Sequence, residues 1–384
     1  MEIFDDKKRC CGCTACMNIC PKNAIEMIED EEGFKYPRIN KEKCIECGLC
    51  KKICAFQNGT EVDERIENAE VYAAKNKDDA VRMKSSSGGM FATISDYVLN
   101  NNGVIYGVAF DENFKAKHIR AENKSDRDKC LGSKYSQSEL GDIFKLVKKD
   151  LENEKTVLFT GTPCQVAGLN KFLNKTDKQN LILVDIVCHG APSPKLFKEY
   201  IECISKTRKK KIKNYYHRSK KNGWGHNEEI VFEGDKSEIG TRLADTWKRI
   251  FYTNLPLRPS CYNCVYTSNK RMSDITIADF WGIQDFENKI YDKKGISLVI
   301  VNTQKGKSLF NNINNDLYYE NRKMEEATKK NPQLYKPVKI SEDERMNFWK
   351  IYYNKGIRTI MSKYGGYNFI GRTKHLVKKI LRKK

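Results

Sequence analysis

Eight cysteines near the start of the chain fall into two runs of one spacing. Cys10, Cys13, Cys16 and Cys20 read C-x2-C-x2-C-x3-C-P, and a shift of 34 residues lands on Cys44, Cys47, Cys50 and Cys54. Three closely spaced thiolates can wrap three corners of an iron–sulfur cubane; the chain must then leave before a fourth thiolate closes the site. In the bacterial two-cluster spacing, the fourth cysteine of each run ligates the other cluster. The expected ligand sets are therefore Cys10, Cys13, Cys16 and Cys54 for one 4Fe-4S cluster, and Cys44, Cys47, Cys50 and Cys20 for a second. Pro21 turns the chain away after Cys20, a place taken by Ala55 in the second run. Paired structural zinc sites are the alternative, but zinc seldom uses three cysteines at so tight a spacing twice over. Cys11 falls between two ligands. It is expected to be a spare thiol with its side chain away from the cubane, or to replace Cys10 if the loop shifts by one.

Four further cysteines are spread over a hundred residues. Cys164 and Cys188 belong to "KTVLFTGTPCQVAGLNKFLNKTDKQNLILVDIVCHGAPSP", which reads as strand (Val157–Thr160), tight loop, helix (Gln165–Leu173) and strand (Leu181–Val187). Such a βαβ unit is right-handed with parallel strands. Ligands gather outside the carboxyl ends of such strands, where both cysteines would lie. Cys261 and Cys264 form a C-x2-C pair ahead of a strand over Asp274–Ala278 that ends in "DFWG". Together the four predict a third 4Fe-4S cluster; zinc, a redox disulfide or unrelated buried thiols are the alternatives. Cys130 and Cys203 lack partners at useful spacing and read as packing residues.

The elements between these sites follow from local pattern. A polar linker over residues 55–70 leads to a short strand in "EVYAAKN". "SSSGG" then precedes a helix with Met90, Phe91, Ile94, Tyr97 and Val98 on its apolar face. A small-residue loop feeding a helix start exposes N–H groups to a phosphate or a flavin edge, although a capped helix needs no ligand there. "VIYGVAF" and "KAKHIRAE" alternate as a hairpin. No G-x-G-x-x-G dinucleotide fingerprint is present.

Composition bounds the rest. The 384 residues, 39% hydrophobic and 10% aromatic, suffice for a large core and a small satellite domain. No apolar signal segment opens the chain, and its longest apolar runs fall far short of the ~20 residues of a membrane span. With clustered cysteines suited to a reducing compartment, a cytoplasmic location is expected. The formal charge of +20 comes with lysine and asparagine throughout, so it is read as solvated surface and no nucleic-acid partner is expected. "KTRKKKIKNYYHRSKKNGWGH" (206–226) is read as a solvated helix followed by a loop, with a nucleic-acid backbone, an anionic partner or an acidic coenzyme tail as the alternatives. "GRTKHLVKKILRKK" at the end sets Leu376, Ile380 and Leu381 on one face of a basic helix, read as a frayed, solubilising tail, with weak contact to an anionic membrane surface or a partner as the alternative.

"SSSGG", "GSKYSQS", "GTPCQVAGL", "CHGAPSP" and "CYNC…DITIADFWG", in that order over about residues 70 to 300, resemble the beta subunit of coenzyme F420 hydrogenases and dehydrogenases. With the cysteine repeat ahead, the chain is similar to the electron-input subunits of reduced-F420 dehydrogenases. It is also similar to bacterial members encoded beside polysaccharide genes. The resemblance implies an α+β architecture: a two-cluster ferredoxin-like domain (1–58), a larger α/β flavin-binding domain with a partly parallel sheet (70–335), and a basic helical C-terminal extension (336–384). It implies an FAD against Ser86, Ser87, Gly88 and Gly89, with Lys134, Thr160, Gly161 and Thr162 completing the pocket. Lys134 would stabilise charge on the reduced flavin. His189 would relay a proton or hydrogen-bond near a cluster, and Asp279 and Trp281 would shape the same cleft. The activity implied is an iron–sulfur flavoprotein oxidoreductase exchanging hydride with F420 or another soluble carrier. The alternative is an electron-transfer subunit serving a partner enzyme, with polysaccharide biosynthesis as one setting. A redox protein or hydride carrier is the expected partner, and self-association into a homo-oligomer is left open.

Overall fold

The apolar runs become the middle of a large mixed sheet in the computed structural model, which describes residues 3–59 and 65–368. The strands are β1 (Ile25–Glu29), β2 (Lys35–Ile39), β3 (Arg65–Asn76), β4 (Val104–Phe110), β5 (Ala116–Ala121), β6 (Val157–Gly161) and β7 (Leu181–Ile186). They continue as β8 (Ile212–Tyr216), β9 (Glu229–Phe232), β10 (Ser237–Ile239), β11 (Ile275–Asp279), β12 (Ser297–Thr303) and β13 (Leu317–Arg322). Eight of them form one sheet in the order β13-β3-β12-β11-β7-β6-β4-β5. Its centre is parallel, β4 with β6, β6 with β7 and β7 with β11, and its flanks are antiparallel. Central strands covered on both faces should be apolar without alternation. Accordingly β12 is buried along its length and β7 at all but its last residue.

Helices cover both faces. On one, Met90, Ile94 and Val98 of the helix Met90–Asn100 join Leu309 and Phe310 against Leu158, Val184 and Val299. On the other, Phe144, Val147, Val166 and Leu169 pack on Val157 and Phe159. Neighbouring residues of β6 thus face opposite ways, as a pleated strand requires. The βαβ unit is as expected in type and direction; its helix starts earlier, at Pro163, because proline suits a first helical turn.

The cysteine repeat is visible in the backbone. Short helices at Ala15–Ile19 and Leu49–Lys52 each follow a left-handed residue, Thr14 (φ 64°) and Gly48 (φ 73°), which stand 34 positions apart. This unit is no detached satellite. Cys11, Cys13, Ala15 and Ile53 share a core with Val166 and Leu169. Phe34 and Tyr36 share another with Leu196, Phe197, Trp247, Phe348 and Trp349. That second core lies among β8–β10 and the helices Pro194–Arg208, Thr246–Tyr252 and Glu342–Lys363.

One expectation fails. The basic stretch 206–226 is not simply a solvated helix and loop. Its helix ends at Arg208, β8 turns Ile212 and Tyr215 inward, and His217, Arg218, Ser219 and Lys220 are all buried. The two inward residues of β8 are three apart, across a register shift between Ile212 and Asn214, so no two-residue alternation marks the strand among the lysines, and the buried cations find carboxylate and carbonyl partners elsewhere in the chain. The stretch carrying Leu376, Ile380 and Leu381 lies outside the described residues.

Candidate metal centres and an adjoining cleft

All fifteen cysteines are free thiols, and twelve of them gather into three sets. In the first, Cys16 lies within electrostatic reach of Cys13, Cys10 and Cys54, and Cys54 within reach of Cys13. Burial pushes the Cys10, Cys16 and Cys54 thiols up. In the second, Cys20, Cys44, Cys47 and Cys50 line one cavity with Pro21, Ile25, Ile39, Ile45 and Leu49. The Ala24 N–H points at Cys20 Sγ (3.3 Å). The fourth cysteine of each run therefore stands with the triad of the other. The second set opens outward: Cys47 is exposed, and so are its neighbours Ile45 and Leu49.

The third set is assembled from three loops. Cys164 opens the helix Pro163–Phe172, Cys188 follows β7, and Cys261 and Cys264 flank the end of the 3-10 turn Pro259–Asn263. Cys188 lies within reach of Cys261, Cys164 and Cys264, and Cys264 within reach of Cys164 and Cys261. The Ala191 N–H points at Cys261 Sγ (3.4 Å), and Thr162 Oγ1 lies 3.3 Å from Cys164 Sγ. Burial pushes Cys188 well up, Cys261 to about 11 and Cys264 to about 12. Cys164 alone moves down, to about 7, chiefly through hydrogen bonding from Cys11 against the opposing effect of burial. Among the described residues no three Cys, His, Asp or Glu side chains come close enough to hold a single metal ion.

Cys11 departs from expectation. Its buried thiol contacts those of both Cys13 and Cys164, so it stands between the first and third sets instead of pointing away from the first. Gly168 explains the close approach. A methyl group there would come within 2.8 Å of Cys13 Sγ, so only glycine lets the helix Pro163–Phe172 lie against that thiol. Cys130 and Cys203 are buried, apart from the three sets.

The residues expected to hold a flavin lie towards the same sheet edge, where β6, β7 and β11 end and β12 begins. Gly88 donates to Ser297 Oγ (2.9 Å) and accepts from the Asn76 N–H (2.7 Å). Any side chain at Gly88 would strike Ala74 O at 2.3 Å, so its role in the structure is close packing of the loop onto β3 and β12. Gly89 starts the helix Met90–Asn100 in the left-handed region with no side-chain cap. Ser86 Oγ accepts from the Ser133 N–H (2.8 Å), which joins this loop to "GSKY". Ser87 donates to Ile296 O (2.7 Å). Lys134 is half-buried and folds back to donate to the carbonyls of Lys129 and Leu131; burial lowers it to about 8. Thr160 donates to Tyr106 O, while Thr162 and Gln165 form a capping box at the carboxyl end of β6. The hydrogen bonds of Ser86 and Ser87 run to Ser133, Ile296, Arg218 and Lys220, with none to Thr160–Thr162. His189 is held by Asn254 (2.6 Å) and packs on Phe251 and Tyr252, and burial lowers its pKa.

Residues that no sequence motif marks join this cluster. Arg218 makes a bidentate pair with Asp279 (2.6 and 2.8 Å), lies over the Trp281 ring and reaches Ser86 O. Trp224 donates to Asp279 (2.6 Å) and stacks on Trp281 at 4.9 Å. Lys220 is buried, its ammonium donating to the carbonyls of Arg82 (2.6 Å) and Ser87; burial lowers it to about 7. The one signal for them in the chain is Asp279 itself, since a carboxylate ending a buried strand requires a cation.

Comparison with known proteins matches these regions. Residues 71–145 and 154–327 match the N-terminal and C-terminal family models of the coenzyme F420 hydrogenase/dehydrogenase beta subunit, and residues 9–58 a 4Fe-4S dicluster domain. The chain is 21% identical to a component of the F(420)H(2) dehydrogenase of Methanosarcina mazei over 47% of its length and 53% of that protein's. It is 24% identical to the coenzyme F420-dependent sulfite reductase of Methanocaldococcus jannaschii over 81% of its length and 47% of that protein's. The chain thus spans about half the length of these curated relatives. A chain of the F420-reducing [NiFe] hydrogenase complex of Methanosarcina barkeri superposes with a TM-score of 0.46 at 17% identity, covering 78% of this chain and 92% of that one.

Proposed function

Because the chain belongs to the family of coenzyme F420 hydrogenase/dehydrogenase beta subunits and carries a 4Fe-4S dicluster domain, we propose that it is an iron–sulfur flavoprotein oxidoreductase. It would move electrons between 4Fe-4S clusters held by its three cysteine sets and an FAD in the cleft, with hydride exchanged with F420 or another small soluble carrier. When bound, the clusters carry single electrons and the flavin exchanges a hydride.

The observation that carries this reading is continuity. Cys47 opens outward, the Cys10 set adjoins the Cys164 set through Cys11, and Cys164 and Cys188 stand at the sheet edge that bears the cleft. The donor sets fit these groups. Free thiols suit cubanes, and two lysines whose hydrogen bonds run to carbonyls suit an anionic ligand. Lys134 and Lys220 would offset negative charge, and Ser86, Ser87, Gly89, Thr160, Gly161 and Thr162 would line the pocket. Gly88 would act by packing, and His189 by supporting the loop behind Cys188.

A second reading, an electron-transfer protein that serves a partner enzyme, is favoured by the exposed Cys47, Ile45 and Leu49, a surface suited to a protein partner. Anaerobic purification with iron, sulfide and flavin quantified tests both. About twelve iron atoms, four for each cubane, and one FAD per chain are expected. About eight iron atoms, or no flavin, would overturn the proposal. Flavin reduction by reduced F420 with the chain alone selects the first reading; reduction only after a partner is added selects the second.

Flavin affinity should also depend on pH. An anion is favoured by charged lysines, so affinity is expected to be greatest below pH 7. It should fall as pH rises beyond about 7 and about 8, where Lys220 and Lys134 lose their protons. Fluorescence titration on either side of that window checks the sign.

A further inference from the structure

Arg258 is 1% exposed, and among the described residues no Asp or Glu pairs with it. Its Nε donates to Cys10 O (2.7 Å), Nη1 to Gln137 Oε1 (3.1 Å), and Nη2 to Lys35 O (3.0 Å) and towards Cys10 Sγ (3.6 Å). The guanidinium lies over the Tyr36 ring at 4.2 Å and near Phe34. A buried cation surrounded by neutral groups is costly unless a negative charge stands nearby, and arginine cannot shed its proton to escape that cost.

The negative charge available is that of the cysteines. Arg258 is within electrostatic reach of Cys10 and Cys13 in the first set and of Cys164 and Cys261 in the third. It precedes the Cys261 pair in sequence, and its own N–H donates to Ala191 O in the loop after Cys188 (2.9 Å). Resting on the reading above, we infer that Arg258 is a fixed positive charge shared by the Cys10/Cys13/Cys16/Cys54 and Cys164/Cys188/Cys261/Cys264 centres, raising the reduction potential of both. Each centre gains one electron and one negative charge on reduction. No proton moves at Arg258, and the charge it faces grows. The Cys20/Cys44/Cys47/Cys50 centre has only exposed lysines such as Lys22 beside it and no buried arginine among the described residues, so it serves as an internal control for Arg258.

The test is an anaerobic redox titration of the full chain followed by electron paramagnetic resonance, with iron counted first. In Arg258→Gln the one-electron reduction constants of the two adjoining centres should fall about tenfold, or about 59 mV, while the control centre stays put. Arg258→Lys should restore most of the shift, because it keeps the charge and loses the fork. If Arg258→Gln fails to assemble, Gln137→Glu neutralises the guanidinium in place and should move the same two potentials down. Unmoved potentials, an equal shift at all three centres, or Lys behaving as Gln would overturn the inference. About eight iron atoms per chain in the unmodified protein would remove the third centre, and the functional reading with it. The Arg258 effect would then still be read at the first centre, so the two failures are distinguishable.

Discussion

The two runs of the cysteine repeat share a spacing and a backbone path, yet several equivalent positions differ sharply in exposure. Cys13 is buried and its counterpart Cys47 is exposed. Cys11 is 7% exposed where Ile45 is 58%, and Ala15 is 1% exposed where Leu49 is 40%. The first run is pressed against the helix Pro163–Phe172 and Gly168; the second faces outward among Lys22, Lys41, Lys43, Lys51 and Lys52, all exposed. Spacing decides which thiols can grip a cubane, whereas docking decides how dry and how charged its surroundings are. The latter set cluster potential and access.

This contrast can be broken in graded steps. The largest effect is expected from a ligand change in each run. Cys13→Ser should lose a centre and disturb a shared core, costing more than about 3 kcal/mol of stability. Cys47→Ser should lose about four iron atoms yet leave the main unfolding transition within about 1 kcal/mol; iron analysis and thermal unfolding of both variants decide it.

Gly168→Ala acts on the buried run alone. The added methyl meets Cys13 Sγ at 2.8 Å, an overpacking that should cost about 1–3 kcal/mol, read as a lower Tm with Cys47-set signals retained. Smallest in stability is the double change Ile45→Gln and Leu49→Gln, expected within about 0.5 kcal/mol. It should nevertheless slow electron exchange with an acidic acceptor protein several-fold. Through the surrounding lysines, the rate in the unmodified protein should fall with ionic strength. An unchanged rate in stopped-flow measurements would assign electron exchange to another surface.

Much of this arrangement is legible in the chain. The repeat, the crossing of Cys20 and Cys54 and the βαβ unit with Cys164 and Cys188 past its strand ends all follow from local spacing and period. What is illegible shares one physical cause. Arg218, Lys220 and Arg258 are cations, and a cation reads as solvent-facing until its distant partners are known. For Arg218 the partner is Asp279, for Lys220 the carbonyls of Arg82 and Ser87, and for Arg258 the backbone of Cys10 and Lys35. Gly88 is obscure for a related reason. Its loop resembles a ligand cradle, yet its N–H and C=O are both taken by β12 and β3.

By itself, then, the sequence determined which thiols could act together. Thiol spacing is a short-range property of a chain with fixed bond lengths, and the twelve cysteines can be grouped from it and from strand ends alone. Only the tertiary structure decided that Cys13 is buried and Cys47 exposed, that Cys11 stands between two cysteine sets, and that a guanidinium with no carboxylate partner among the described residues lies beside both. Those depend on which surfaces dock. Burial and Coulomb interactions act between residues hundreds of positions apart, and no local pattern encodes them.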